Sequence, residues 1–162
     1  MDNYALGHAQ RCAWIFGAWW YGTILAVSGT AYAVTSTMTG HNPETGVIMA
    51  ILGLAVAGLG WLASAPKRFT RTLPKPAMDV NRAEQGIRIT PGIVIVSNAV
   101  MIVILVTLAF ATPRGTAPDV VPILAMLAVF APMVGVVQMR TRTMLVERNA
   151  RYVQWLARRL GS

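Results

Sequence analysis

The sequence predicts an all-α integral membrane protein, a four-helix bundle of transmembrane helices followed by a basic cytoplasmic helix at the C-terminus. The first observation is that four long runs contain no Asp, Glu, Lys, Arg or His, namely 13–36, 46–65, 92–112 and 120–138. Each is close to the roughly 20 residues that an α-helix needs to cross a hydrocarbon core about 30 Å thick. The second is that only 12% of the 162 residues are charged, where a soluble domain usually has about 25%. A single transmembrane domain accounts for the whole sequence.

The distribution of positive charge predicts how the chain is threaded. Of the 14 Lys and Arg residues, 13 lie before the first run, in the loop 66–91 or in the tail 139–160, and Arg114 alone lies on the other side. Basic residues close to the ends of spans favour the cytoplasmic side. We therefore expect a multi-pass protein of the inner (plasma) membrane with both termini in the cytoplasm. The 12 Arg against two Lys residues suggest a bacterial source.

Small residues recur at heptad spacing in the first two spans. They are Ala18, Gly22, Ala26, Gly29, Ala33 and Ser36 in the first, and Gly46, Ala50, Gly53, Ala57, Gly60 and Ser64 in the second. Small residues let two helix backbones approach closely in lipid, where no hydrophobic force drives helices together. Because a short connector joins the two spans, we expect the stripes to face each other. The predicted packing residues are Gly22, Ala26, Gly29, Ala50, Gly53, Ala57 and Gly60. Alternatively, one stripe forms a contact between identical copies of the chain.

The third span is bulky on all sides, and its one polar pair is Ser97 and Asn98. A buried amide in hydrocarbon is costly unless it is hydrogen-bonded. Pro132 in the fourth span leaves the Ala128 carbonyl without its helical donor, so we expect Asn98 to bond the backbone near this break. This structural interpretation is favoured over a site for a solute or an ion.

The loop 66–91 contains four prolines, so we expect no single helix there. Asn81 and Glu84 resemble a capping box, so residues 82–88 are expected to form either a short helix on the membrane surface or a solvated turn. The tail 139–160 has an apolar face that includes Tyr152 and Leu156, which is typical of a helix on a membrane or partner surface. Trp155 is expected near the membrane interface. Basic side chains predicted to bind anionic lipid headgroups or an acidic partner are Lys67, Arg68, Arg71, Arg148, Arg151, Arg158 and Arg159. Alternatively, these charges act only during insertion, where they set the topology.

The sequence contains no pattern typical of catalysis. The four spans lack ionisable residues, and no Cys-x-x-Cys motif or phosphate-binding glycine loop is present. His8 and His41 are expected in solvent on opposite sides of the membrane, so they cannot share a metal or haem. We therefore predict no catalytic residue, no cofactor and no metal, and a protein that is not an enzyme.

The favoured function is that of a non-catalytic subunit or assembly partner of a larger membrane complex. The expected partners are anionic lipids at the cytoplasmic face and other membrane protein subunits, or copies of the chain itself, but no nucleic acid. The alternative is a small homo-oligomeric channel or transporter for an uncharged or anionic solute.

Overall fold

A computed structural model describes residues 2–64, 74–77, 79–111 and 117–160. Within these ranges the chain forms five α-helices and no β-strand, which confirms the all-α prediction. The helices are α1 (Asp2–Met38), α2 (Glu44–Ala63), α3 (Val80–Ala111), α4 (Ala117–Val146) and α5 (Arg148–Leu160).

Three helices are long and apolar enough to cross a membrane: α2, α3 and the Val120–Val146 part of α4. This finding indicates a multi-pass membrane protein. With 37 residues, α1 is also long enough, but it is less apolar than the other three. The reason lies in its composition, because Trp, Tyr, Thr, Ser and Gly separate its aliphatic residues.

The helices pack against one another as a helical bundle, as the sequence predicts, and the bundle has the form of an open row. The central helix is α1, which packs against α2 on one side and α4 on the other, while α3 makes extensive contact with α4 alone. Ile24 and Ser28 of α1 are fully buried, whereas none of the described residues of α3 is buried. The spatial order is therefore α2, α1, α4, α3, with two helices at the outside.

Two helices begin earlier than the apolar runs indicate. α1 begins 11 residues before the run 13–36. α3 includes residues 82–88 and continues through Pro91 into the third span, so the expectation of a separate surface helix or a solvated turn is wrong. The Oδ1 atom of Asp79 accepts a hydrogen bond from the Arg82 N–H at 2.9 Å. Asp79 therefore caps α3, in place of the predicted capping box.

The connection between α1 and α2 is a tight turn. Gly40 has a φ of +77°, and the His41 N–H donates to the Ser36 carbonyl at 2.8 Å, an arrangement that commonly ends helices. The Asn42 Oδ1 atom then accepts the Glu44 N–H at 2.9 Å, at the start of α2. This turn makes α1 and α2 antiparallel neighbours.

One end of the molecule extends beyond the membrane-spanning helices. A 37-residue helix is about 55 Å long, well above the roughly 30 Å of a hydrocarbon core. The first residues of α1 lie beside α5, which follows α4 after an interruption at Glu147 only. The segment 74–77 is attached to α1 by a hydrogen bond from the Ala77 N–H to the Asn3 carbonyl, 3.0 Å long. We call this region, with the start of α3, the basic end.

Candidate functional site

Small residues form a seam between α1 and α2 at which the two backbones touch. A Cβ atom added to Gly53 would lie against the Ala26 nitrogen and 2.6 Å from the Gly22 carbonyl oxygen. One added to Gly29 would lie 2.6 Å from the Ala50 nitrogen. Real Cβ atoms essentially never approach closer than 3.0 Å. These positions therefore require glycine, because a side chain would push the helices apart.

The same seam extends towards the basic end. A Cβ atom on Gly60 would lie 2.6 Å from the Trp19 nitrogen, and one on Gly22 would lie against the backbone of Ala57. The structure thus brings all seven predicted packing residues together along one interface. By contrast, Gly58 has nothing within 4 Å of an added Cβ atom and faces away from α1.

Ser97 and Asn98 satisfy their polar groups within their own helix. The Ser97 Oγ and Asn98 Nδ2 atoms both donate to the Val94 carbonyl, at 3.2 and 2.9 Å. The predicted bond from Asn98 to backbone near Pro132 is not among the bonds of the described residues, because the carbonyl one turn earlier satisfies the amide without a neighbouring helix. Asn98 instead packs on Gly135, where an added Cβ atom would lie 2.7 Å from its Nδ2 atom. Ser97 is exposed on the outer side of α3.

A proline in α3 creates a polar contact with α4. Pro91 has no N–H, so the Ile87 carbonyl loses the donor that a regular helix supplies. The Nε atom of Arg142 in α4 donates to this carbonyl at 2.9 Å. The carbonyl freed by a proline, which the sequence indicates for Pro132, therefore finds its side-chain donor at Pro91, a position predicted to end a loop. Arg142 links the two helices at the basic end.

An aromatic cluster, consisting of His8, Cys12, Tyr152 and Trp155, joins α1 to α5. The His8 ring centroid lies 5.3 Å from that of Trp155 and 6.0 Å from that of Tyr152. The Cys12 Sγ atom lies 3.6 Å from His8 Nε2. His8 is 4% exposed and Trp155 is 5% exposed. The cluster therefore holds the C-terminal helix against the first turns of α1.

Burial favours the neutral forms of His8 and Cys12. Loss of solvent lowers the pKa of His8 below its ordinary value, and the guanidinium groups of Arg11 and Arg151 lower it further. Burial also raises the pKa of the Cys12 thiol, although the same two arginines oppose that rise. A neutral imidazole and a neutral thiol thus lie between cationic side chains at neutral pH.

One sequence expectation fails at this cluster, because His8 is buried instead of solvent-exposed. Trp155 is also buried, and its depth near the membrane interface stays a prediction. The sequence signal for the burial of His8 is a set of apolar residues at helical spacing before Cys12, namely Ala5, Leu6 and Ala9. All three are buried in the structure. This set extends the packing face of α1 well beyond its charge-free run.

The predicted lipid-binding or partner-binding cations have different surroundings. The Arg148 guanidinium forms an ion pair with Glu84 of α3 at 3.1 Å, and Arg151 pairs with Glu147 at 2.9 Å. Arg159 lies 5.4 Å from the Trp155 ring centroid, a cation–π contact, and Arg158 is exposed. The other three, Lys67, Arg68 and Arg71, lie outside the described residues. Arg148 and Arg151 thus engage acidic residues of the same chain.

In the part of the chain that the structure describes, His, Cys, Asp and Glu do not gather in any group of three or more that could hold a metal ion. The chain matches no protein-family model, no curated protein and no solved structure.

Proposed function

We propose that the protein is a non-catalytic subunit or assembly partner of a larger membrane complex in a bacterial plasma membrane. The observation that carries this proposal is the position of α3. Although it has 32 residues, α3 packs extensively against α4 alone and buries none of its described residues. A helix attached along one side leaves most of its surface for lipid or for another subunit.

Two features of the outer face of α3 favour a protein neighbour. Ile93 and Val100 are 55% and 52% exposed, so an aliphatic surface is accessible. Ser97 lies four residues after the first and three before the second, so its hydroxyl group is on the same exposed side of the helix. In membranes, small polar residues are enriched where helices contact one another. A helix of another subunit could cover this face and approach closely at Ser97.

The proposal includes α1 as a fourth span. The run 13–36 is free of charge, and α1 lies between α2 and α4. A central helix contacts neighbouring helices more than lipid, so a moderate hydropathy is sufficient for it to span the membrane. With 13 of 14 basic residues on the side of the basic end, the positive-inside rule puts both termini in the cytoplasm.

The composition of the native particle tests the assembly role. The complex would be extracted from its own membrane in a mild detergent, and its mass and subunits measured against the 17.5 kDa chain. Unlike subunits in fixed ratio support the proposal. Identical copies around an axis support the alternative, a homo-oligomeric channel or transporter for an uncharged or anionic solute. A particle that contains a single copy of the chain contradicts both.

A reporter fusion tests the threading. A reporter that is active only outside the cytoplasm should remain silent after residue 162 and become active when inserted at Gly40, in the turn between α1 and α2. The opposite pair of results would reverse the orientation. Activity at both sites would mean that the chain crosses the membrane an even number of times after Gly40, so that one of α2, α3 and α4 does not span it.

A further inference from the structure

We propose that a groove at the basic end binds the headgroup of an anionic phospholipid, a property beyond the proposed assembly role. The groove has a volume of about 800 Å³. Its walls come from three separate parts of the chain: the first turns of α1, the segment 74–77 and the start of α3. The lining residues that carry the argument are Gly7, Arg11, Trp14, Lys75, Asp79 and Arg82.

Backbone contacts build the groove. The Lys75 carbonyl lies directly against Gly7 of α1, where an added Cβ atom would overlap it. The Ala77 N–H donates to the Asn3 carbonyl at 3.0 Å. The segment is therefore attached to α1 at two points, and the backbone of Lys75 has a defined position beside Gly7.

Positive charge converges on the groove. Arg11, Lys75 and Arg82 each line it from a different part of the chain. Asp79 is the one carboxylate among the described lining residues, and its Oδ1 atom already accepts the Arg82 N–H as the cap of α3. Guanidinium and ammonium groups donate hydrogen bonds to phosphate oxygens, so a groove lined by three such side chains is suited to a phosphate group.

The level of the groove relative to the membrane favours a phosphate that belongs to a lipid. Arg11 and Trp14 flank the beginning of the charge-free run 13–36, so the groove lies at the level of the headgroups in the proposed threading. The Trp14 side chain is 80% exposed beside it, and indole rings favour the headgroup layer. A headgroup phosphate among the three cations would leave its acyl chains beside Trp14, in continuity with the bilayer.

Binding by the purified full-length chain in detergent tests this inference. Short-chain phosphatidylglycerol would be titrated, with phosphatidylcholine of the same chain length as the neutral comparison. Each cation near an anionic lipid surface contributes about 1 kcal/mol, so Arg82→Gln should weaken phosphatidylglycerol binding about fivefold. The double variant Arg11→Gln/Lys75→Gln should weaken it more than about tenfold.

Arg88→Gln is the matched control. Arg88 is exposed on the same helix and does not line the groove, and its replacement removes the same charge. We expect its affinity to equal that of the wild type, and Arg82→Lys should retain affinity within about twofold. If a Gln variant fails to fold, the other Gln variant and Arg82→Lys still test the site.

Three results would overturn the inference. Equal weakening by Arg82→Gln and Arg88→Gln would show general charge attraction. Equal affinity for phosphatidylcholine would show that the net negative charge of the lipid headgroup does not contribute to binding. Binding of glycerol phosphate or inorganic phosphate as tightly as phosphatidylglycerol would assign the groove to a soluble phosphate compound. Because the experiment uses the isolated chain, its outcome is independent of whether partner subunits exist.

Discussion

The α1–α2 pair and the α3–α4 pair are both antiparallel, yet they are held together in different ways. Between α1 and α2, glycine and alanine bring backbone against backbone over several turns, from Gly46 to Gly60. Between α3 and α4, the one such glycine in the described residues is Gly135, and it meets the Asn98 side chain. The polar contact of this second pair lies at the basic end, where Arg142 donates to the Ile87 carbonyl, and the nearby ion pair of Arg148 with Glu84 joins α5 to α3.

The difference shows two ways to stabilise a helix pair in lipid. Apolar side chains gain little from leaving lipid for a neighbouring helix, so a pair needs either close backbone packing or polar contacts. The first pair has the close packing. The second has a polar contact near the membrane surface, which leaves the rest of α3 open to lipid or to another subunit.

The largest expected effect is at the seam. Gly53→Leu should lower the free energy of unfolding by about 1–3 kcal/mol, because the side chain must enter space filled by α1 backbone. Gly58→Leu is the control on the same helix, since nothing lies within 4 Å of its added Cβ atom. Thermal unfolding in detergent measures both. Equal midpoints of thermal unfolding for the two variants would contradict the close backbone packing that distinguishes the α1–α2 pair.

A smaller substitution compares the two interfaces directly. Gly→Ala favours a helix by about 0.8–1 kcal/mol through propensity. At Gly135 the added methyl group meets the end of the Asn98 side chain, which can rotate away, so Gly135→Ala should be neutral or stabilising. At Gly53 it meets backbone of α1, which cannot, so Gly53→Ala should be destabilising. The same sign of change at both positions would show that the interfaces are equally tight.

The polar contact of the second pair is tested by a double-mutant cycle. Arg142→Met removes the donor to the Ile87 carbonyl and should cost about 1 kcal/mol. Pro91→Ala restores a backbone N–H to that carbonyl, so the same Arg142 change should cost less in this background. The cycle is measured by unfolding in detergent. Additive effects would mean that Arg142 stabilises α3 by some other contact.

The smallest effect concerns the attachment of α5. Since the pKa of His8 is lowered in the folded protein, the neutral imidazole is the folded form. Its contribution to stability is present above the ordinary pKa of about 6.5 and is lost as the pH falls through the lower folded value. Acidification from about pH 7.5 to about pH 5 should therefore loosen α5, through protonation of His8 beside Arg11 and Arg151.

Limited proteolysis of the tail measures this loosening. Cleavage within α5 should accelerate at the lower pH in the wild type and in the control His41→Gln, which changes the turn at the other end of the molecule. His8→Phe should remove the acceleration. Acceleration that persists in His8→Phe would assign the pH dependence to another group.

Features that depend on residues close together in the chain can be predicted from the sequence alone. Long charge-free runs predict helices, because backbone polar groups in lipid must be bonded within the segment. The small-residue stripes could be recognised in the same way, because the two helices are consecutive and a short turn joins them. The structure places Gly22, Ala26, Gly29, Ala50, Gly53, Ala57 and Gly60 along one interface.

Contacts between segments that are distant along the chain are visible only in the tertiary structure. Arg142 reaches a carbonyl 55 residues away in the chain, and this contact accompanies a helix that continues through Pro91, where the sequence predicted a loop. His8 is buried because α5 returns to the start of α1. The spatial order of the helices could not be predicted from the sequence either. The reason is physical: an apolar helix face is satisfied by lipid or by protein, so its composition does not specify its neighbour.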